Sequence, residues 1–146
     1  MINEKIAIAS DHGGYKLKTT LFKYLLEKGF DIVDLGTDKE ESCDYPIFAK
    51  RVANSIKENR FTKGILICGT GLGMQITANR TKGIRAVCVS DTYSAKMSRE
   101  HNDSNILCLG QRVLGEGLAK EIVDVWFNTD FLGDRHLKRI TMIDSE

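Results

Sequence analysis

The sequence has little of what marks disulfide-bonded, membrane-spanning or strongly charged proteins. It contains one proline and four cysteines, and no two cysteines form a CxxC pair. Its apolar runs are strand-sized, far below the ~20 residues of a membrane span. With 21 basic and 20 acidic side chains, the net charge of +1 gives no general attraction to nucleic acid or membrane. We therefore expect a reduced, cytoplasmic protein that recognises anions only locally.

The length predicts one domain over residues 1–146. A chain of 146 residues can build a core without metals or disulfides. The N-terminal residues MINEKIAIAS have no long apolar segment after their charges, so no signal peptide is expected. No repeat, low-complexity segment or linker interrupts the chain.

Short apolar runs alternate with amphipathic segments along the chain. We predict strands at 5–11, 31–36, 63–69, 83–89 and 105–110. We predict helices at 14–28, 46–59, 91–101, 116–128 and 133–146, and another after the glycines of 69–73. The helix at 116–128 carries Leu118, Ile122 and Trp126 on its expected buried face.

This alternation predicts an α/β fold. Strands that are apolar throughout and separated by helices indicate a parallel sheet covered on both faces. Ligands of such sheets bind beyond the carboxyl ends of the strands. That rule directs attention to residues 11–12, 68–73, 90–91 and 110–112.

The segment ILICGTGLG (65–73) is the sharpest chemical feature. A predicted strand ends at Cys68, and Gly69, Gly71 and Gly73 follow at alternate positions before a helix. Glycines let a ligand approach the backbone, and amides at a helix start stabilise an oxyanion and favour a thiolate. A thiolate beside an oxyanion hole suits an aldose–ketose isomerisation, which moves a proton through an enediolate. The alternative is that Cys68 is an ordinary buried strand residue.

The same glycines leave two other functions open. Asp91 lies 20 residues after Gly71, where a dinucleotide-binding protein has a ribose-binding acid. Against that reading, Met74 occupies the position of the third fingerprint glycine, and the segment follows the third strand rather than the first. A non-catalytic nucleotide- or phosphate-binding module would need the glycines and the arginines but no reactive thiol.

Polar side chains stand at two other element ends. Asp11 and His12 follow the first strand, where they could bind a sugar hydroxyl and a phosphate; the alternative for Asp11 is a cap. His101 and Asn102 end the fourth predicted helix in a polar corner that suits an acid–base histidine. The alternative is a histidine that only interacts with the helix dipole.

The tail offers a candidate anion clamp. Arg135 and Arg139 are four residues apart in a predicted helix and share one face. Two guanidinium groups on one face can bind one phosphate, although a solvated basic face is the common outcome. His136 and Lys138 fall on other faces and are predicted to take no part.

Together these segments resemble the type B ribose-5-phosphate isomerase family over nearly the whole chain. The resemblance is carried by IASDHGG (8–14), DLGT (34–37), DYP (44–46), ILICGTGLGMQITANR (65–80), GIRAVCVSD (83–91), YSAKMSREHNDSNIL (93–107), LGQRVLG (109–115) and RHLKR (135–139). It implies a three-layer α/β/α sandwich with a Rossmann-like five-stranded parallel sheet. It also implies no metal and no cofactor.

The resemblance assigns the chemical roles. Cys68 matches the base that moves the proton between neighbouring carbons. Thr70 matches the hydroxyl that assists proton movement between the two oxygens. His101, with Asp11, matches the groups that open the furanose ring.

The remaining roles concern binding. The resemblance implies an anion hole made by Asn102 and the amides of Gly69, Gly71 and Gly73. It implies a phosphate site made by His12, Arg112, Arg135 and Arg139. Tyr45 matches a residue that packs against the sugar.

The family resemblance also predicts assembly and limits the substrate. It implies a homodimer or homotetramer whose sites are shared between subunits, with Cys68 facing His101 and Arg112 of the partner. Some family members use a glutamate on the following helix, but this chain has Gln75 in that region. Galactose-6-phosphate isomerase subunits tend to lose the His-Asn pair and the tail arginines, which this chain keeps. Allose 6-phosphate remains an alternative to ribose 5-phosphate.

Overall fold

A five-stranded parallel sheet forms the centre of the protein. The computed structural model describes residues 4–145. The strands are β1 (Lys5–Ser10), β2 (Asp31–Asp34), β3 (Lys63–Cys68), β4 (Ala86–Cys88) and β5 (Ile106–Gly110). They pair in the order β2-β1-β3-β5-β4, and every pair is parallel. The helices are α1 (Tyr15–Glu27), α2 (Tyr45–Lys57), α3 (Leu72–Ala78), α4 (Thr92–Glu100), α5 (Glu116–Phe127) and α6 (Arg135–Asp144).

Helices cover both faces of the sheet because alternate strand residues point to opposite faces. On one face, Ile65 and Ile67 of β3 belong to a core with α1, α4 and α5. On the other, Leu66 and Cys68 belong to a core with α2 and α3. Burial on both faces explains why these strands read as unbroken apolar runs. The predicted three-layer α/β/α sandwich with five parallel strands is confirmed.

The strand order places a crevice between β1 and β3. The chain leaves β1 for β2 on one side, and β3 then pairs with the opposite edge of β1. α1 and α3, which follow these two neighbouring strands, pack on opposite faces of the sheet. The loops after β1 and β3 therefore diverge, and the carboxyl ends of the two strands form the ligand-binding crevice typical of such sheets.

Several predicted boundaries differ from the structure. β4 is limited to Ala86–Cys88 because it lies at the sheet edge and pairs only with β5. The prediction for Leu118 is wrong: its side chain is 39% exposed, since the buried stripe of α5 runs through Ala119, Ile122, Val123 and Trp126. The predicted tail helix ends at Asp144, and its last predicted residue, 146, lies outside the described residues. Within 4–145, no helix combines the length and hydropathy that a bilayer crossing requires.

Candidate active site

A cleft of about 320 Å³ opens at the crevice between β1 and β3. It is lined by Asp11, Tyr45, Cys68, Gly69, Thr70, Gly73 and Arg112. These residues come from the ends of β1, β3 and β5 and from the starts of α2 and α3. The structure thus brings together seven of the residues that the sequence singled out.

Cys68 is one of the residues that line this cleft. It is the last residue of β3, 5% exposed, and its Sγ accepts a hydrogen bond from the Gly71 N–H at 3.1 Å. Gly71 has φ +83°, and a Cβ there would lie 2.8 Å from Cys88 Sγ and 3.1 Å from the Leu109 carbonyl oxygen. Only glycine therefore lets the chain turn so tightly that its amide reaches the sulfur.

The neighbouring thiols have surroundings that keep them protonated. Burial raises the pKa of Cys108 well above its ordinary value, with smaller contributions from the nearby Cys88 and Cys68. Burial also raises the pKa of Cys88, whose Sγ donates to the Thr70 carbonyl at 3.4 Å. Because the thiolate is the reactive form, both are poor candidates for a base.

Asp11 and His12 occupy the loop after β1. Asp11 caps the 3₁₀ turn His12–Gly14 by accepting from the Gly14 N–H at 3.2 Å, and it also lines the cleft. The capping interpretation is therefore confirmed. His12 Nδ1 accepts from the Cys43 N–H at 3.1 Å. A neutral His12 consequently carries its proton on Nε2, which is then a donor for an anion.

Two further glycines leave room for the cleft's side chains. A Cβ on Gly69 would lie 3.1 Å from the Arg112 guanidinium, and one on Gly73 would lie 2.5 Å from the Tyr45 ring. The Arg112 N–H donates to the Gly69 carbonyl at 3.0 Å, so the loop after β5 is tied to the loop after β3. The expectation that Arg112 faces Cys68 from a partner subunit is wrong, since it reaches the cleft of its own chain.

The other predicted residues gather in a separate polar corner at the end of α4. His101 caps α4, and its N–H donates to the Met97 carbonyl at 2.8 Å. The turn is fixed by Arg99, which pairs with Asp103 at 2.9 Å and donates to the Ser104 carbonyl at 2.6 Å.

None of the residues in this corner lines the Cys68 cleft. The Asn102 side chain is exposed, and its carbonyl accepts from Arg85 Nε at 2.9 Å. Arg135 and Arg139 follow on the first turns of α6 and are also exposed. The structure therefore divides the predicted site into two groups within one chain.

Sequence reasoning missed His136. It was predicted to lie on another face than the two arginines and to take no part in the anion clamp; the structure shows that its side chain is buried and that its ring stacks on the His101 ring with 4.2 Å between centroids. A signal was available, because His136 and Ile140 are four residues apart and form the buried side of α6. Because histidine is polar, a pattern of apolar residues alone does not mark position 136 as buried.

The dinucleotide interpretation is wrong. Asp91 caps α4, with its two carboxylate oxygens accepting from the Ser94 N–H at 2.6 Å and from the Ser94 hydroxyl at 2.9 Å. These bonds lower the pKa of Asp91. Gln75 is also occupied, since its Oε1 accepts from the Cys88 N–H at 2.5 Å. Between residues 4 and 145, no three His, Cys, Asp or Glu side chains are grouped to hold a metal ion.

A cysteine, backbone amides and an arginine in the crevice of a parallel sheet define an α/β enzyme for a small anionic substrate. Comparison with known proteins identifies the family. The Ribose/Galactose Isomerase family matches residues 6–143. The chain is 46% identical over 140 residues to ribose-5-phosphate isomerase B of Escherichia coli, covering 96% of this chain and 94% of the relative. The chain therefore belongs to the ribose/galactose isomerase family.

Solved structures agree in fold. Ribose-5-phosphate isomerase B of Clostridium thermocellum is 50% identical, with a TM-score of 0.95 over 96% of this chain and 95% of that one. The enzyme of Mycoplasma genitalium, with ribulose-5-phosphate bound, is 41% identical, with a TM-score of 0.92 over 96% and 93%. The resemblance to type B ribose-5-phosphate isomerases is confirmed.

Proposed function

We propose that this protein interconverts ribose 5-phosphate and ribulose 5-phosphate in the pentose phosphate pathway, with Cys68 as the proton-transferring base. The observation that carries the proposal is the position of the Cys68 sulfur, which lies in the crevice with the Gly71 N–H bonded to it. The four free cysteines support a cytoplasmic location, where thiols stay reduced.

The chemistry follows from the substrate. Ribose 5-phosphate arrives as a furanose, so His101, with Asp11, moves a proton from the C1 hydroxyl to the ring oxygen and opens the ring. Cys68 then takes the proton from C2, and the electrons of the C–H bond pass to the C1 oxygen to form the enediolate. Thr70 assists the proton movement between the two oxygens. Return of the proton to C1 gives ribulose 5-phosphate.

The enediolate needs hydrogen-bond donors whose bonds to its oxygen become stronger as negative charge develops there. The first helical hydrogen bond of α3 runs from the Gln75 N–H to the Gly71 carbonyl at 3.1 Å. The N–H groups that precede Gln75 have no intrahelical acceptor. The Gly71 N–H already bonds the Cys68 sulfur, so it stabilises the thiolate rather than the oxyanion. Gly69 and Gly73 supply the remaining amides of the anion hole, with Asn102.

A second copy of the chain would join the two halves of the site. Apolar side chains are exposed beside both: Leu72 (54%) and Ile76 (58%) share a face of α3, and α6 exposes Leu137, Met142 and Ile143. In a two-fold dimer, the α3 patch of one subunit would pack on the α6 patch of the other. The symmetry axis would repeat this contact, so both patches would be covered in both subunits. We infer a homodimer, or a homotetramer of such dimers, in which His101, Asn102, Arg135 and Arg139 complete the partner's cleft.

The direct test measures conversion of ribose 5-phosphate to ribulose 5-phosphate by the purified protein. We expect turnover without added metal or cofactor, and a higher kcat/KM than with allose 6-phosphate. The shorter sugar is favoured because the Tyr45 ring already closes against Gly73 and limits the cleft. A higher kcat/KM for allose 6-phosphate would assign the longer sugar, and inactivity on every phosphorylated aldose would reject the proposal.

The arginines of α6 should act in binding. We expect Arg139→Ala to raise KM more than it lowers kcat, because the phosphate lies far from the bonds that change. A charge-assisted hydrogen bond is worth roughly 1.5–3 kcal/mol, so capture should weaken by about ten- to a hundredfold. Lys138→Ala is the matched control, since Lys138 is an exposed cation on the same helix. If Arg135→Ala and Arg139→Ala show the same kinetics as the control, the two arginines form a solvated basic face and do not bind the phosphate.

A further inference from the structure

A histidine pair joins the end of α4 to the start of α6. The rings of His101 and His136 lie 4.2 Å apart, and their planes differ by only 13°. The loop that precedes α6 is tied to the end of α4, because the Leu132 N–H donates to the Glu100 carbonyl at 3.1 Å. The His101 imidazole therefore packs against a residue 35 positions later in the chain.

The surroundings of His136 are unusual for a packing residue. Its side chain is 5% exposed, and Nε2 is shielded from water with no hydrogen-bond partner among residues 4–145. A buried polar atom without a partner destabilises the folded protein, and each instance calls for an explanation. The contact that distinguishes this ring is its stack on His101.

The surroundings of the stack disfavour a proton on His136. A positive charge on the neighbouring imidazole at this separation would repel a charge on His136. Burial lowers the pKa of His136 below its ordinary value. The charges of His101, Arg135 and Arg139 lower it further, and only Asp134 opposes them. His101, by contrast, is half-exposed.

We propose that His136 is a positioning residue for ring opening: by stacking on the His101 imidazole, it holds that ring in one orientation. The inference rests on the proposed function, in which His101 opens the furanose. His136 acts only through His101, since its Nε2 is enclosed by protein.

The chemistry of the two sugars separates ring opening from proton transfer. Ribose 5-phosphate closes its ring through the C4 hydroxyl and must be opened. Ribulose 5-phosphate would need its C5 hydroxyl to form a furanose, and the phosphate blocks that oxygen. Exchange of its C1 proton with deuterated water therefore requires Cys68 and the enediolate but no ring opening.

Two substitutions of His136 test the role. We expect His136→Ala to lower kcat for ribose 5-phosphate by about ten- to a hundredfold through misorientation of His101, with little change in KM. Deuterium exchange into ribulose 5-phosphate should stay close to wild type. His136→Phe keeps a flat, uncharged ring in the stack and should restore most of the kcat. Lys138→Ala, on the same helix, should behave as wild type.

Each other result overturns the proposal. A wild-type kcat in His136→Ala would show that the residue has only a packing role. Loss of deuterium exchange along with turnover would mean that His136 supports the fold or the whole site. A His136→Phe variant as slow as His136→Ala would show that the ring nitrogens, not the stack, are needed.

An independent readout does not depend on turnover. The chain has three histidines, so its imidazole proton signals can be assigned by single substitutions. The His101 signal should be shifted upfield by the stacked ring, should keep that shift in His136→Phe and should lose it in His136→Ala. An unchanged His101 signal in His136→Ala would overturn the positioning role. If the wild type converts no sugar phosphate, the proposed function fails, while this spectrum still decides whether His136 orients His101.

Discussion

Cys68→Ser should bind sugar phosphate but lose both turnover and exchange of the substrate's C2 proton with deuterated water. Serine preserves the shape at the end of β3, yet its hydroxyl is far too weak an acid to be present as the anion that removes a carbon-bound proton. Loss of a general base lowers rates by about a hundred- to ten-thousandfold. Rates are measured by single-turnover assay and by NMR of the exchanged proton, with binding measured by calorimetry.

The matched control is Cys88→Ser, which changes a thiol beside the same loop. Its Sγ donates to the Thr70 carbonyl, a bond that a serine hydroxyl can replace, so its activity should stay near wild type. Wild-type exchange in Cys68→Ser would remove cysteine from the mechanism.

Alkylation gives a second measurement of the same assignment. It is best done in a Cys43→Ser background, because Cys43 is half-exposed and would also react. In that background, iodoacetamide should modify Cys68 before Cys88 and Cys108, whose raised pKa values keep them as thiols at neutral pH. A phosphorylated sugar should slow the reaction at Cys68 alone. Faster labelling of Cys88 would argue against Cys68 as the thiolate.

Mixing two inactive variants should restore activity if the site is shared between subunits. In a homodimer of either the Cys68→Ser or the His101→Asn variant, both active sites carry the substitution and are inactive. In a hybrid, one site receives both substitutions and the other receives neither. Random exchange makes about half of the dimers hybrids, so activity should return to about a quarter of wild type.

The recovery should follow the formation of hybrids. Subunits carrying different tags are mixed, and the doubly tagged dimer is purified and assayed. Pairing Cys68→Ser with Thr70→Ala is the control, because both residues line the same cleft and no hybrid site would be intact. An inactive Cys68→Ser/His101→Asn hybrid would place the whole site within one subunit.

The features predicted well from the sequence are those that depend on local pattern. The run KGILIC predicts a strand because its residues are apolar on both sides, and it forms β3 with both faces covered. The place of Cys68 at its end followed from the glycines behind it. Apart from Tyr45, which only the family resemblance indicated, the cleft residues followed from one general rule about the carboxyl ends of parallel strands.

The features that were missed depend on packing between distant segments. Leu118 and Trp126 are eight residues apart, and on a helix of 3.6 residues per turn two steps of four drift by about 80°, which moves Leu118 off the buried stripe. The contact between His101 and His136 joins two helices whose relative position no local pattern encodes. Arg112 was misassigned for the same reason, since only the pairing of β3 with β5 brings its loop over Gly69.

The location of β3 has a consequence for how the protein fluctuates. β3 lies between β1 and β5 and is paired on both edges, so its amides should exchange with solvent only when the domain unfolds as a whole. The segment 38–42 is exposed, and it precedes the Cys43 amide that holds His12. Brief local openings of that segment would release His12 long before they disturbed Cys68. If His12 binds the phosphate, as the family resemblance implies, such openings would weaken phosphate binding while Cys68 stays in place.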